Sequence, residues 1–320
     1  MKRLSHFVSK HLGILILAVG IITYFSPFYW QASHWIPKLF LGFVIFFTGL
    51  SMDVSGFKRI RHKKKELIVI ILLKWVITVV ISICLAHLFF SNRPEIAAGI
   101  ILNGAVPSAT AATLYTFLSG GNTSLVIVAS LFDIAISPVI APLAMIGLET
   151  ENFSISIISL FKSFLIIVFI PLTLGFFLQR MYPQLPHQSV HITKLLSPTA
   201  LLIVIHTLTA SGKQYLSDEI SLLPFIFIVA ILQTIIPMIV NYQIARYFFE
   251  HESDAKAALF QTSASNSALA AILAFEFFGG LGALEPILYL IINLAISAQV
   301  ANYFANKSKR NIFKTKSTAL

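Results

Sequence analysis

Two short runs of small and polar residues decide the fold of this chain. They are Pro107-Ser-Ala-Thr-Ala-Ala-Thr113 and Ser263-Ala-Ser-Asn-Ser-Ala-Leu269, and a glycine pair follows each, at Gly120-Gly121 and Gly279-Gly280. Both runs interrupt long apolar segments. Proline removes a backbone donor and small polar residues form helices poorly. The sequence therefore predicts two helices that are broken at equivalent points, about half a chain length apart.

The composition around these runs is that of a membrane protein. Of 320 residues, 57% are hydrophobic and 11% are charged, less than half the charged share of a soluble domain. One soluble core could not bury so much apolar surface. The net charge of +10 would suggest nucleic acid in a soluble protein, but here basic residues on the cytoplasmic side account for it. We expect the lipid bilayer as a partner and no nucleic acid.

Ten segments are long and apolar enough to cross a bilayer, which takes about 20 residues as a helix. They are 12–30, 36–52, 66–90, 95–118, 123–147, 155–178, 190–210, 221–248, 255–278 and 284–305. The loops between them are short, so we expect an all-α bundle.

The basic residues orient this bundle. With ten helices, the N-terminal cluster and the basic runs in 58–65 and 307–316 share one side, which the positive-inside rule makes cytoplasmic. The sequence thus predicts a multi-pass protein of the cell membrane with both termini in the cytoplasm. The outer side keeps few basic residues: Lys38, Arg93, Lys162 and Lys213.

The two broken helices occupy matching positions in two halves, 1–150 and 151–320. Each half has five predicted helices, and because five is odd the second half is inverted. Broken helices at matching places of inverted halves point to a transporter binding site. Broken backbone at membrane depth is tolerated around a cavity, a ligand or an ion. The alternative is that the small residues merely allow close helix packing.

Several motifs of this chain resemble the bile acid:sodium symporter family. Ketodeoxygluconate permeases and auxin efflux carriers share the general plan more distantly. The matching stretches are Val106-Pro-Ser-Ala-Thr-Ala-Ala-Thr-Leu-Tyr-Thr-Phe-Leu-Ser-Gly-Gly-Asn122, Ser137-Pro138, Ser265-Asn-Ser-Ala-Leu-Ala-Ala271, Gly49-Leu-Ser-Met52, Phe57 and Asn293.

The resemblance implies a panel domain of helices 1, 2, 6 and 7 and a core domain of helices 3–5 and 8–10. In the core, helices 4 and 9 cross at their breaks. Members of the family carry organic anions by alternating access, usually with two sodium ions. The resemblance further implies that Thr110, Thr113, Asn266 and Asn293 lie near the substrate.

The chain departs from this family at its sodium sites. Ala112-Thr113 replaces a Ser-Asn pair, Gln261 replaces a glutamate, Ser265 replaces a glutamine, Val126 and Ser130 replace two hydroxyl positions, and Lys74 replaces a glutamine. An anionic ligand and several oxygens are therefore missing, and a fixed cation has been added. Because hard cations need several oxygen ligands, we expect the usual sodium coupling to be altered.

Two charges lie at membrane depth. Lys74 is eight residues past Glu66, about 12 Å into its helix, and Asp133 lies at a similar depth. Intramembrane charges indicate function and call for a partner, so we hypothesise an ion pair. Lys74 could take the place of sodium, the pair could titrate and couple transport to protons, or the pair could be structural, with Lys74 reaching the cytoplasmic surface.

The leading function is a secondary transporter of a small organic anion, without catalytic residues, metal or enzymatic cofactor. Its coupling ion is left open between none, sodium as in the wider family, and a proton. The sequence specifies neither the anion nor an oligomeric state. An intramembrane enzyme is the alternative class, but neither a convergent acid–base set nor an H-E-x-x-H motif is found. Glu276 and Glu285 flank the second glycine pair and are expected to face the outer water.

Overall fold

The computed structural model describes residues 12–28, 33, 35–51, 60–146, 148, 156–182 and 184–317. All regular elements within these ranges are helices. The one extended feature among them is an isolated antiparallel bridge between Ser108 and Ser265.

Six helices of the described ranges lie in the first half of the chain, and five lie in the second half. The bounds of the first six are α1 Leu12–Phe25, α2 Trp35–Ser51, α3 Lys64–Phe90, α4 Pro94–Ala105, α5 Ala111–Leu118 and α6 Thr123–Ala144. Within α3 the segment Leu73–Thr78 is a π-helix, a wide turn that occurs frequently at functional sites.

The bounds of the five helices in the second half are α7 Ile157–Met181, α8 Leu185–Asp218, α9 Leu223–Phe248, α10 Glu252–Ser263 and α11 Ser267–Ser317. A 3₁₀ turn, Ile220–Leu222, leads into α9. The long helix α11 is kinked at Gly279, whose φ of 71° is outside the helical range.

Six of these helices have the length and apolar composition to cross a membrane: α3, α6, α7, α8 within Leu195–Tyr215, α9, and α11 within Ser267–Lys307. The helices α1 and α2 are apolar but shorter. Large apolar side chains such as Ile22, Leu88 and Phe177 are more than half exposed, as expected of surfaces that face lipid. The chain is therefore an integral, all-helical membrane protein.

Both predicted interruptions are present. The chain leaves helical geometry between α4 and α5 and again between α10 and α11. Gly120 and Gly279, the first members of the two glycine pairs, have φ of 72° and 71°. Residues with a Cβ avoid this left-handed region, so glycine is required where each broken segment turns.

Close backbone contact joins the two halves at α4 and α11. A Cβ atom added at Gly99 would lie 2.0 Å from the carbonyl oxygen of Gly282. Small residues permit such contacts between membrane helices, and around them the buried side chains of α4, including Ile96, Ile100 and Ile101, form part of the largest apolar cluster.

This contact predicts that Gly99→Ala destabilises the protein by about 1–3 kcal/mol, the usual cost of overpacking. Thermal unfolding in detergent measures the effect. Gly212→Ala is the matched control, since nothing lies within 4 Å of its added Cβ in α8. Equal melting temperatures for the two variants would contradict the close contact.

Candidate functional site

The two interruptions are hydrogen-bonded to each other. Ala109 donates its amide to the carbonyl of Ala264 at 2.7 Å, and Asn266 donates to the carbonyl of Pro107 at 2.8 Å. These bonds flank the bridge between Ser108 and Ser265. The place where the two interruptions meet is called the crossing below. Four helix termini meet here. The N-termini of α5 and α11 bring positive partial charge, and the C-termini of α4 and α10 bring negative partial charge.

The carbonyls at the end of α10 have donors from other helices. Gln261 O lies 2.8 Å from the Ser108 hydroxyl, and Thr262 O lies 3.3 Å from the Thr78 hydroxyl. Ser263 O accepts from Tyr289 and Asn293 at 2.5 and 2.9 Å. Helix ends normally leave such carbonyls free for water, caps or ions. In this chain, side-chain hydroxyl and amide groups lie within hydrogen-bond distance of these carbonyls.

Lys74 is fully buried on the π-helical turn of α3. Its ammonium donates to the Ser265 hydroxyl at 2.9 Å, which places a positive charge directly beside the crossing. The expected direct ion pair with Asp133 is not formed among the described residues, where no Lys74–Asp133 contact falls within salt-bridge distance. The two charges instead contact opposite strands of the Ser108–Ser265 bridge.

Asp133, on α6, is 1% exposed and accepts hydrogen bonds at both carboxylate oxygens. Oδ1 accepts from the Trp75 indole at 2.9 Å. Oδ2 accepts from the Gln261 amide at 2.8 Å, from the Ser108 backbone amide at 3.3 Å, and from the Ser108 hydroxyl. Such a set of donors stabilises an ionised carboxylate.

Gln261 and Ser130 extend this network from α10 to α6. Gln261 is fully buried, and its Oε1 accepts from the Ser130 hydroxyl at 3.2 Å. Its amide donor is committed to Asp133. The neutral Gln261 side chain thus links the Ser130 hydroxyl to the Asp133 carboxylate.

A cavity of about 530 Å³ begins at the crossing. Seven hydroxyl-bearing residues line it, namely Thr48, Ser51, Ser108, Thr110, Thr113, Thr123 and Ser130. A second space of about 130 Å³ adjoins it and adds Ser265 and Asn266. The combined lining is mostly apolar, carries these hydroxyl and amide groups and includes no charged side chain, and pockets of this size hold small molecules.

The predicted substrate residues separate into two groups. Thr110, Thr113 and Asn266 line these cavities. Asn293 is 4% exposed and lies behind the crossing, where its amide contacts Ser263 O and the Tyr289 hydroxyl. Asn293 therefore supports the end of α10.

Several residues of this network escape local sequence reasoning. Ser108 lies in the polar run Pro107–Thr113, and this run is the one sequence feature that indicates a role for it. Trp75, Thr78 and Tyr289 look like ordinary residues of apolar helices, and their roles depend on helices distant in sequence. The expectation for Glu285 was wrong: its side chain is fully buried, because this face of α11 packs against α4 and α9 instead of water.

A helical membrane protein with two helix breaks that are hydrogen-bonded to each other, beside a cavity lined in part by hydroxyl groups, has the construction of a membrane transporter. The model of the sodium bile acid symporter family matches residues 38–219, more than half of the chain. The chain belongs to this family. The family consists of transporters, which confirms that the chain is a transporter and not an enzyme.

Individual relatives agree with this assignment. The chain is 27% identical to the uncharacterized sodium-dependent transporter YocS of Bacillus subtilis over 323 residues, covering all of this chain and 98% of the relative. It is 23% identical to the probable chloroplastic sodium/metabolite cotransporter BASS1 of Arabidopsis thaliana over 269 residues, covering 79% of this chain and 62% of that protein.

The network predicts a strong dependence between its two charges. Asp133→Asn leaves Lys74 as an uncompensated buried cation and should lower the free energy of unfolding by about 3–5 kcal/mol. In the double variant Lys74→Gln/Asp133→Asn much of this loss should be recovered. The free energies of unfolding in detergent of the wild type, the two single variants and the double variant measure this dependence. The exposed Asp218→Asn is the control. Strictly additive effects would show that the two charges are independent.

Proposed function

We propose that this protein is a secondary transporter that moves a small organic anion by alternating access, with the Lys74 ammonium in the place of a sodium ion. The observation that carries this proposal is the contact between Lys74 and Ser265 at the crossing of the broken helices. A built-in cation at this place makes substrate binding independent of sodium.

Charge balance supports this role. Lys74 and Asp133 contribute one positive and one negative charge to a single buried network, so the crossing is neutral without a bound cation. Moreover, Ser263 O already accepts from Tyr289, and Gln261 O and Thr262 O lie beside the hydroxyls of Ser108 and Thr78, each of which shares its one proton with a second acceptor. Gln261 supplies no negative charge. A hard cation finds few free oxygens here.

The substrate site in this proposal is the polar end of the cavity. Thr110 and Asn266 precede the first turns of α5 and α11, where helix N-termini favour anions. Thr113 offers a further hydroxyl donor in the wider space, and Ser130 lines it with its hydroxyl oxygen. With Lys74 behind Ser265, the positive potential at this end is directed at a carboxylate, while apolar residues such as Leu114 and Ile134 contact the rest of the anion.

The architecture we propose has ten transmembrane helices in two inverted halves, 1–150 and 151–320. The panel comprises α1, α2, α7 and α8, and the core comprises the remaining helices. The cavity supports this division, since it lies between Thr48 and Ser51 of α2 and the breaks of the core. With both termini cytoplasmic in the cell membrane, the cavity lies in the cytoplasmic half.

Sodium coupling is the second candidate, favoured by the names of the relatives, which describe sodium-dependent and sodium/metabolite transporters. It requires that sodium find ligands at the crossing despite the bound Lys74 ammonium. Measuring uptake with and without sodium separates the two candidates.

We expect proteoliposomes with the purified protein to take up a member of a carboxylate panel equally well when choline replaces sodium. Lys74→Gln should reduce this uptake at least about tenfold, equivalent to 1.4 kcal/mol, because it removes the built-in cation. Lys74→Gln/Gln261→Glu restores the residue types of the family and should make uptake sodium-dependent.

Lys64→Gln is the matched control, because Lys64 is exposed on the same helix. Sodium-dependent uptake by the unmodified protein would contradict the role given to Lys74. Transport by Lys74→Gln at the normal rate, at every pH and without sodium, would contradict it as well.

Two ion pairs join the proposed panel and core at the end of the molecule opposite the cavity. Lys38 of α2 lies 2.5 Å from Glu276 of α11, and Arg93, just before α4, lies 3.0 Å from Glu219, just after α8. All four side chains are partly exposed. Since exposed pairs contribute about 0–1 kcal/mol each, they can bias the conformational equilibrium without locking it.

Reversing one charge should therefore open this outer side. In a Cys84→Ser/Thr113→Cys background, we expect Glu276→Lys to slow labelling of the cavity by an impermeant maleimide from the cytoplasmic side about two- to fivefold, equivalent to about 1 kcal/mol. Adding Lys38→Glu restores the pair and the labelling rate. The exposed Glu250→Lys serves as control. Faster labelling in Glu276→Lys would refute a gate at this position.

A further inference from the structure

Glu285 is a fully buried carboxyl group outside the network described above. It lies on α11, and neither of its carboxylate oxygens has a hydrogen-bond partner in the described part of the chain. Asn103 of α4 is its polar neighbour. The Asn103 side chain is also fully buried, and its Oδ1 likewise lacks a partner. Three buried acceptor atoms therefore lie without a hydrogen-bond partner in a place where the Asn103 amide is the neighbouring donor.

The polar groups around this place have other partners. Asn103 Nδ2 donates to Gln233 Oε1 at 3.4 Å, and Gln233 Nε2 donates to Ser82 at 2.9 Å and to Ile100 O at 2.8 Å. Tyr289, one turn further along α11, donates its hydroxyl to Ser263 O. One hydrogen of the Asn103 amide and the Tyr289 hydroxyl are thus used, and neither carboxylate oxygen has a partner within hydrogen-bond distance in the described part of the chain.

Within the described ranges no basic side chain lies at salt-bridge distance from Glu285. Tyr289 is the titratable group that interacts with Glu285. The helices packed against α11 carry their charged residues near their ends: Glu95 on α4, Arg246 on α9, Lys194, Lys213 and Asp218 on α8, Lys38 on α2, and Lys162 and Arg180 on α7. His206 of α8 contacts Thr23. An ionised carboxylate buried without a cation or hydrogen bonds costs several kcal/mol.

We propose that Glu285 is a proton-binding site and that its proton is the coupling ion of transport. This inference rests on the proposed function, in which sodium no longer drives the cycle. The carboxylate takes a proton from water on one side of the membrane and returns it to water on the other. While bound, the proton supplies the donor that Asn103 Oδ1 lacks.

Packing favours a proton over a metal cation at this site. The backbones of α4 and α11 touch nearby, since a Cβ at Gly99 would lie 2.0 Å from Gly282 O and one at Gly104 would lie 2.1 Å from Ser82 Oγ. A hard cation needs space and about six oxygen ligands, while three acceptors are free here. A proton requires neither.

The position of Glu285 suits a coupling ion. It lies five residues after Gly280, about 8 Å along the helix axis from the turn at the outer side. The helices that contribute the surrounding side chains, α3, α4, α9 and α11, all belong to the proposed core. A proton held on Glu285 would move with the core when the transporter changes its open side.

Infrared spectroscopy of the purified full-length protein tests protonation without a substrate. At neutral pH, where exposed carboxyl groups are ionised, we expect a C=O stretching band of a protonated carboxyl group that Glu285→Gln lacks and Glu250→Gln retains. Asn103→Leu should shift the band, which assigns it a second time if Glu285→Gln does not fold. A wild-type spectrum without such a band would overturn the proposal.

Uptake into proteoliposomes tests coupling. An acidic exterior should drive accumulation of the transported carboxylate about tenfold per pH unit for one proton per cycle, measured above protein-free liposomes. Glu285→Gln should lose this accumulation and keep substrate exchange. A band assigned to Glu285 together with gradient-insensitive uptake would reject the coupling role. Absence of uptake for every carboxylate would contradict the proposed function and the coupling that rests on it, while the infrared result still decides protonation.

Discussion

The fold depends on two backbone hydrogen bonds at the crossing of its interrupted helices, Ala109 to Ala264 and Asn266 to Pro107. Inside a bilayer each unpaired backbone group costs several kcal/mol, so a helix can be broken there only if the exposed groups find new partners. By pairing with each other, the two breaks satisfy part of this demand. The last carbonyls of α10 lie within hydrogen-bond distance of hydroxyl and amide groups. These groups belong to α3, to the segment just before α5, and to α11.

This requirement explains the polar side chains buried in the surrounding helices. Tyr289 and Asn293 are placed one turn apart to cap Ser263, and Asn241 holds both Thr78 and Thr262 at about 3 Å. Once these partners are in place, the crossing is a rigid scaffold with few free oxygens. Lys74 and Asp133 then contact its two sides with opposite charges, at Ser265 and Ser108.

Much of the fold follows from the sequence. The breaks were predictable because proline and small polar residues oppose helix formation locally, and the glycine pairs mark turns that need a left-handed residue. Lys74 and Asp133 were also expected inside the helical bundle, and both side chains are buried there. Their contacts could not be predicted. A small change in the direction of the Lys74 side chain decides whether its ammonium reaches Asp133 or Ser265. The burial of Glu285 was mispredicted for a similar reason: proximity to a turn does not reveal which face of α11 meets another helix.

Sodium binding by the purified protein tests the central claim most directly. A ligand that binds the folded state raises its stability in proportion to the logarithm of its concentration. If Lys74 occupies the place of sodium, the melting temperature in detergent will be the same in sodium chloride and in choline chloride at equal ionic strength. A saturable rise with sodium in the unmodified protein, lost when the crossing is altered by Ser265→Ala, would contradict the account.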